Sequence, residues 1–279
     1  MFTQARFAWA ENCDSTLAVF FAVASTSFHG IATMKEVEKS GSDIREATND
    51  LSQLVLILLG PPGAGKGTQC KRLVDSLHTP HISTGDILRD NVRRETELGR
   101  KVQQVMACGG LIADDLVLNM LADRTKAVDC ARGFLLDGFP RTSAQAKMLD
   151  LSLAERTQIG ISCNLLVIRL VVSQETLLRR LGGRQICPAC RMVYSVDLRP
   201  PQLPGLCDFD GSTLVIREDD HQEAILERLR IYEQQISPIV EHYAKVGGVV
   251  EIDGDRIVED VSADIVLTIQ SKYPFMSFT

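Results

Sequence analysis

Aromatic residues are scarce in this 279-residue sequence, at 5% with a single tryptophan, and positive charge is in deficit, with a formal net charge of −6. Proteins that bind single-stranded nucleic acids usually stack bases on aromatic side chains and attract the backbone with a basic surface. The lack of both features argues against nucleic acid as a partner. An anionic ligand must instead meet basic side chains that cluster locally.

Long hydrophobic runs are also missing. No apolar stretch reaches the roughly 18 residues that a membrane-spanning helix needs, so we expect no membrane partner. The apolar residues 17–24, LAVFFAVA, are too few, and acidic residues precede them. Residues 1–53 are therefore expected to be a disordered extension of a cytoplasmic protein. The alternative is that residues 1–33 form a cleaved targeting segment, which would imply an organelle or export.

Cysteines are present, but five of the eight are scattered singly, which argues against a disulfide framework and indicates a reducing compartment. The other three fall in two short motifs, CPAC at 187–190 and CDFD at 207–210, separated by sixteen residues. Spacing of this kind suits a tetrahedral structural zinc. The predicted ligands are Cys187, Cys190, Cys207 and Asp210. The alternative is a loop that holds unrelated thiols and no metal.

Continuous apolar runs recur along the chain and are typical of strands that are buried on both faces of a parallel sheet. These runs cover residues 54–60, 133–138, 164–173 and 247–254. Helical spacing is found at 66–78, 85–95, 98–108, 114–127, 142–150, 173–181, 219–246 and 259–271. Pro238 is expected to kink or divide the long helix. The alternation predicts a doubly wound α/β fold.

Residues 183–220 break this rhythm and are expected to form an inserted subdomain. The segment holds four prolines and both cysteine motifs, and it lacks a long amphipathic pattern. A piece of chain this short buries too little surface to fold without a disulfide or a metal, which favours the zinc site.

The sequence GPPGAGKGT at 60–68 follows a predicted strand and opens a predicted helix, which is the context of a phosphate-binding loop. The backbone N–H groups of residues 63–67 can surround a polyphosphate at the helix N-terminus, while Lys66 reaches the terminal phosphates. The usual Ser or Thr after the lysine is replaced by Gly67. We therefore do not expect this loop to ligate magnesium directly.

Four motifs resemble the adenylate kinase family in order and spacing: GPPGAGKGTQ at 60–69, HISTGDILR at 81–89, LLDGFPRT at 135–142 and REDD at 217–220. The resemblance covers residues 54–271. It implies a phosphate-loop fold with a five-stranded parallel sheet and helices on both faces. It also implies reversible, magnesium-dependent phosphoryl transfer from ATP to AMP, which gives two ADP. The implied parts are a core (54–82, 113–182 and 221–271), an AMP-binding flap (83–112), a lid (183–220) that closes over the donor, and a tail (272–279). The resemblance also implies that the protein is a monomer.

The resemblance further assigns site residues. Those implied for ATP are Gly63, Ala64, Gly65, Lys66, Gly67, Thr68, Arg180, Arg184, Val193, Tyr194 and Arg256. Those implied for AMP are Thr84, Arg89, Gly110, Leu111, Ile112, Gly138, Phe139, Pro140, Arg141, Gln145, Arg217 and Arg228. Those implied in catalysis are Lys66, Arg141, Arg180, Arg184, Arg217 and Arg228. Guanidinium groups suit these roles because they bind phosphate oxygens through two parallel hydrogen bonds.

Some residues have competing interpretations. Thr142 and Gln145 match a capping box, so Gln145 either reads the adenine edge or closes the start of a helix. Asp86 and Asp137 are expected to hold magnesium through water, but Asp86 also suits the first turn of a helix. Other arginines, among them Arg179, Arg191 and Arg230, are expected to be surface charges.

Alternative functions also stay open. One is a GTP-dependent AMP kinase. Another is a pyrimidine monophosphate kinase, which the long inserted segment disfavours because those enzymes carry a short lid. A third, from a different class, is a zinc-ribbon protein that binds nucleic acid and hydrolyses ATP as a switch. The acidic composition and the scarcity of aromatics argue against the third.

Overall fold

The computed structural model describes residues 52–196 and 199–274. The predicted N-terminal extension lies outside the described residues except for its last two positions, and so do residues 275–279 of the predicted tail. Within the described ranges, no helix has both the length and the apolarity that crossing a membrane requires.

A central parallel sheet is the framework of the fold. The strands of the described chain are β1 (Ser52–Leu59), β2 (His81–Ser83), β3 (Gly133–Asp137), β4 (Ser162–Val171), β5 (Arg184–Ile186), β6 (Val193–Ser195) and β7 (Val249–Asp253). Five of them form the sheet in the order β2-β3-β1-β4-β7, and all of its pairs are parallel. Residues 54–58 of β1 are at most 1% exposed, as their continuous apolar sequence predicts. The predicted doubly wound sheet is confirmed.

Helices connect the strands. They are α1 (Lys66–Leu77), α2 (Thr84–Arg93), α3 (Glu97–Ala107), α4 (Asp114–Thr125), α5 (Ser143–Gln158), α6 (Gln174–Gly182), α7 (Gln222–Val246) and α8 (Val258–Lys272). The predicted end of α5 at residue 150 is wrong, because the apolar spacing continues and buries Leu149 and Leu153 one turn apart. Pro238 does not divide the long helix, so that part of the prediction is wrong, and a kink at this residue stays a prediction. Helix α7 runs through it, with Ile236, Ile239 and Tyr243 buried on either side, and this packing offsets the lost hydrogen bond.

Two hydrophobic cores cover the two faces of the sheet. Alternate side chains of β1 enter different cores, with Leu56 in one and Ile57 in the other. Residues of α1, α6 and α8 pack on the first face, residues of α4 and α5 pack on the second, and α7 contributes to both. Helices on both faces of a parallel sheet leave its carboxyl edge free for a ligand.

The carboxyl ends of three strands meet at this edge. Leu58 of β1 and Ser83 of β2 are both in register with Asp137, the last residue of β3. The glycine-rich residues 60–65 and the turn at residues 138–142 therefore leave the sheet side by side.

Residues 183–220, the predicted lid, are built differently. Their strands β5 and β6 form a two-stranded antiparallel sheet, and the described residues of the lid contain no α-helix. Its only buried hydrophobic cluster within those residues consists of Cys187, Tyr194, Cys207 and Leu214. The lid thus has very little apolar core of its own.

Candidate active site

The phosphate loop links β1 to α1 through backbone conformations that glycine favours. Gly63 and Gly65 have φ angles of 85° and 94°, in the left-handed region that other residues rarely adopt. Helix α1 begins immediately afterwards at Lys66, so its unpaired N-terminal N–H groups lie at the loop. The Nζ atom of Lys66 donates to two loop carbonyl groups, at 2.8 and 2.9 Å. A helix N-terminus with an adjacent lysine is suited to bind phosphate.

Gly67, which departs from the usual pattern of such loops, faces a carboxylate. A Cβ atom at this position would lie 3.2 Å from Oδ2 of Asp137, a closer approach than nine in ten real Cβ contacts. The same Asp137 oxygen is 3.4 Å from Nε2 of His81. The lack of a side chain at Gly67 therefore leaves room for the Asp137 carboxylate beside the start of α1.

The phosphate loop opens into a cleft of about 1060 Å³ that is lined by residues of the predicted core, AMP-binding flap and lid. The predicted site residues on its wall are Gly63, Ala64, Gly65, Lys66, Gly67, Thr68, Asp86, Arg89, Leu111, Asp137, Gly138, Phe139, Pro140, Arg141, Arg180, Arg184, Val193, Tyr194, Arg217, Arg228 and Arg256. This volume suits a ligand of nucleotide size or larger. The structure thus brings the whole predicted ATP set and most of the predicted AMP set to one cavity.

Two buried carboxylates hold arginines of the cleft. Asp220, whose side chain is 0% exposed, accepts hydrogen bonds from Nε and Nη2 of Arg184 and from Nη1 of Arg228, the last at 2.9 Å. Asp219 lies 3.4 Å from Arg89 and 3.2 Å from Arg228. These two residues end the REDD motif, so the motif joins arginines from the lid, the flap and α7. The motif supports the family resemblance, but its sequence does not predict that its carboxylates pair with these arginines.

The cationic side chains of the cleft also repel one another. Burial, reinforced by Arg228 and Arg89, lowers the pKa of Arg141 to about 10. Arg141 has no carboxylate within ion-pair distance in the described structure, and its Nε donates to the carbonyl of Gly138 at 2.8 Å. Burial likewise lowers the pKa of Lys66 to about 8, although Asp137 opposes the shift. An anion placed among these groups would relieve their repulsion, which favours a phosphate-binding role.

Arg217 and Asp86 complete the charged surface. Burial, reinforced by Arg89 and Arg184, lowers the pKa of Arg217 to about 10, and its Nη2 lies 4.0 Å from Oδ1 of Asp86. Burial alone would raise the pKa of Asp86, but an ion pair with Arg89 at 2.5 Å and the nearby Arg217 hold it at about 2. Asp86 therefore stays ionised and already serves as an arginine partner.

Four predicted AMP-binding residues lie off the cleft wall: Thr84, Gly110, Ile112 and Gln145. Thr84 is 2% exposed, and its hydroxyl donates to the carbonyl of Gly138 at 3.0 Å. Ile112 packs against the second hydrophobic core. The contacts of these four residues with AMP stay predictions.

Gln145 takes part in a helix cap, but with a different partner from the one in a capping box. The hydroxyl oxygen of Thr142 accepts from the Gln145 N–H at 3.1 Å, as the motif predicts. The side-chain oxygen of Gln145 accepts from the Arg141 N–H at 2.7 Å, and its side-chain nitrogen donates to Asp114 Oδ1, also at 2.7 Å. Gln145 is 1% exposed, and its hydrogen bond to the Arg141 N–H fixes the turn that carries Arg141.

Tyr194 lies in the small core of the lid. Its side chain is 2% exposed, its hydroxyl is 3.5 Å from Sγ of Cys207, and it accepts from the Asp208 N–H at 2.8 Å. A ring buried to this extent does not suit stacking on a donor base, which is one way in which the implied ATP-binding role of Tyr194 could be carried out. Contact with a nucleotide is left to its backbone and to the half-buried Val193.

The four predicted metal ligands come together in the lid. One ligand atom from each of Cys187, Cys190, Cys207 and Asp210 lies within 4.8 Å of all the others. Sγ of Cys190 is 3.5 Å from Sγ of Cys207, and Sγ of Cys187 is 3.2 Å from an Asp210 oxygen. A tetrahedral zinc with bonds of about 2.3 Å would place its thiolates about 3.8 Å apart. The cluster therefore fits such an ion in donor type and in size.

Arg191 is partly exposed, as expected of a surface charge, but it is also paired with a distant part of the chain. Its Nη2 lies 2.8 Å from Oδ1 of Asp90, so a lid residue contacts α2 of the flap. No spacing rule marked this residue, because the contact joins positions about one hundred residues apart. Arg179 is exposed and Arg230 pairs with Glu227 on the surface, as expected.

Comparison with known proteins agrees with this geometry. The family model for adenylate kinase matches residues 58–248. An adenylate kinase of Finegoldia magna is 44% identical over 211 residues, which cover 76% of this chain and 96% of that protein. Adenylate kinases of Carboxydothermus hydrogenoformans and Methanocella arvoryzae are 44% and 45% identical, over 77% of this chain and 99% and 97% of their own lengths. The chain therefore belongs to the adenylate kinase family, a family of phosphotransferases that convert ATP and AMP to two ADP.

Proposed function

We propose that the cleft binds ATP at the phosphate loop and AMP beside Arg89 and Arg141, and that the γ-phosphoryl group passes directly between them. One observation carries the proposal: the phosphate loop and the predicted AMP-side arginines face a single cavity with cations between them. Two anions that must meet need such a lining, because their mutual repulsion opposes the approach.

The chemistry assigned to the protein is positioning and charge neutralisation. The attacking atom is a phosphate oxygen of AMP, which is already anionic at neutral pH, so no general base is required. Lys66 and Arg184 are proposed to neutralise the transferring group, with Arg180 and Arg256 on the ATP side. Arg141, Arg217 and Arg228 are proposed to orient the acceptor phosphate. In a cleft that excludes water, such fixed cations act strongly on the charge that develops in the transition state.

Magnesium is proposed as the cofactor, held through water by Asp137. The carboxylate lies beside the phosphate loop in the space that Gly67 leaves, and oxygen donors suit this ion. Asp86 fits less well, because Arg89 and Arg217 both lie within ion-pair distance of its Oδ1. Magnesium bound to ATP would neutralise phosphate charge during transfer.

We further propose the division into core, AMP flap (83–112) and lid (183–220), with a lid that closes over ATP. The support is that arginines from these parts converge on Asp219 and Asp220. A structural zinc at the Cys3Asp cluster is proposed to hold the lid folded. We also propose a monomer in the cytoplasm, and the seven described cysteines, none of which forms a disulfide, support a reducing compartment.

Donor choice separates this proposal from a GTP-dependent AMP kinase. The expected result is that ATP supports AMP phosphorylation with a higher kcat/KM than GTP, and that the activity requires magnesium. Coupled detection of diphosphate formation with purified protein measures both. A preference for GTP would favour the alternative, and a preference for CMP or UMP as acceptor would favour a pyrimidine nucleotide kinase.

Replacing Gln145 with alanine is expected to lower kcat/KM for AMP by about tenfold and to narrow the preference for AMP over CMP. The physical reason is that the variant loses a buried hydrogen-bonding amide that the family resemblance places at the adenine edge, an effect of about 1–3 kcal/mol. Thr142→Ala is the control, because it removes the helix cap but keeps the amide. If the AMP-to-CMP ratio stays unchanged in the Gln145 variant, the residue only holds the turn.

A further inference from the structure

The two halves of the lid's metal cluster use the same turn. The N–H of Arg191 donates to the carbonyl of Cys187 at 3.0 Å, and the N–H of Gly211 donates to that of Cys207 at 2.9 Å. Each donor comes four residues after its cysteine, and each has a left-handed backbone, with φ of 59° and 71°. Glycine suits this conformation and an arginine does not. The first turn therefore places Arg191 in a strained backbone conformation, although glycine would fit there without strain.

The side chain of Arg191 reaches out of the lid. Nη2 of Arg191 is 2.8 Å from Oδ1 of Asp90, and its Nη1 is 3.5 Å from the carbonyl of Asp86, both on α2 of the flap. The backbone carbonyl of Arg191 accepts from Nζ of Lys71 on α1, at 3.0 Å. A weaker contact joins Arg93 of the flap to the carbonyl of Pro188 at 3.4 Å. The tip of the CPAC turn thus contacts flap and core together, outside the arginines assigned to phosphate.

We propose that Arg191 is a positioning residue that latches the lid to the AMP flap, so that closing either part over its nucleotide favours closing the other. The inference rests on the proposed closure of the lid. The Arg191–Asp90 pair forms only when the lid and the flap are in contact. It therefore stabilises the state in which both are closed, and it does not stabilise states in which either is open. Each nucleotide then binds more tightly when the other is present, and the effect is reciprocal.

The size of the effect follows from the exposure of the pair. The Arg191 side chain is 39% exposed and that of Asp90 is 29% exposed, and Asp90 also pairs with Arg93 within the flap. A partly exposed ion pair of this kind changes an equilibrium by about two- to fivefold. Losing the latch should therefore raise KM for AMP by that factor and leave kcat unchanged or slightly higher, because opening follows transfer.

The test measures AMP affinity by calorimetry, with and without a saturating nonhydrolysable ATP analogue that carries an imido bridge. In the unaltered protein, the analogue is expected to tighten AMP binding. Arg191→Gly removes the side chain and suits the left-handed backbone, and it should reduce this tightening by about two- to fivefold. AMP affinity without the analogue should not change. Asp90→Asn should have the same effect, and the double variant should lose no more than either single variant.

Glu97→Gln is the matched control, because it removes an exposed flap pair with Lys101 that does not reach the lid. The zinc content of Arg191→Gly is measured alongside, and Asp90→Asn tests the latch with the metal cluster untouched. If the unaltered protein shows tightening and both variants retain it, the latch is refuted. If the unaltered protein shows none, the latch is also refuted, whereas the proposed phosphoryl transfer is judged separately by the ADP-forming assay.

Discussion

Replacing Arg184 with alanine is expected to lower kcat by about 10³-fold or more, the effect of an arginine that stabilises a transferring phosphoryl group. Arg184 begins β5, where the lid joins the core, and it lines the same cleft as Lys66. Its side chain is 14% exposed, and Asp220 holds it by two hydrogen bonds. The guanidinium is therefore oriented before a nucleotide arrives, which is the condition for strong electrostatic catalysis. Steady-state rates of ADP formation measure the effect.

Two companion variants separate catalysis from folding. Arg179→Ala changes an exposed arginine five positions earlier and should leave kcat within about twofold. Arg184→Lys keeps a positive charge near the buried Asp220, which still pairs with Arg228, but it lacks the planar fork. It should stay folded and still lose most of the activity. A folded Arg184→Ala protein that loses only about tenfold in kcat would remove Arg184 from the reaction centre.

Removing zinc is expected to unfold the lid and to lower kcat by about 100-fold, because an unfolded lid cannot exclude water or present its arginines. The lid's buried cluster has four side chains, and two of them are the proposed ligands Cys187 and Cys207. Without the ion, little apolar burial remains to offset the entropy of ordering this segment. The free energy of zinc binding is then folding free energy for the lid.

Metal analysis and calorimetry provide the measurements. We expect one zinc per chain. In the metal-free protein, we expect the lid to unfold in a separate transition at a lower temperature than the core. Asp210→Cys retains four suitable ligands and should retain zinc, whereas Asp210→Ala should bind it more weakly. Cys163→Ser alters a thiol outside the cluster and serves as the control. Metal-free protein with full activity and unchanged melting would contradict the structural zinc.

The parts of the fold that sequence reasoning located have strong local signals. The run at residues 54–58 is apolar without interruption and forms the buried β1, and the glycine-rich loop after it leads into α1 at Lys66. Strand β2 has only three residues and no apolar run, so its pattern does not mark it. It is a strand because its neighbour β3 supplies the hydrogen bonds. The continuation of α7 through Pro238 is likewise decided by tertiary packing.

The candidate site divides in the same way. The identity of the four metal ligands can be predicted from their spacing, because each half of the cluster is a local turn. The spacing alone does not show that the two halves lie close together. The partners of the arginines were not predictable: Asp219 and Asp220 pair with Arg89 and Arg184 across gaps of more than thirty residues. The burial of Tyr194 in the lid core was missed for the same reason. Long-range pairing leaves no periodic trace in a single sequence.

The central claim is that a phosphoryl group passes directly between two nucleotides bound in one cleft. Measuring the stoichiometry of ADP formation from ATP and AMP by the purified protein tests this claim most directly. We expect two ADP for each AMP consumed, negligible ADP from ATP alone, and no stimulation by DNA or RNA. ADP and free phosphate released from ATP without AMP, and faster in the presence of nucleic acid, would contradict it.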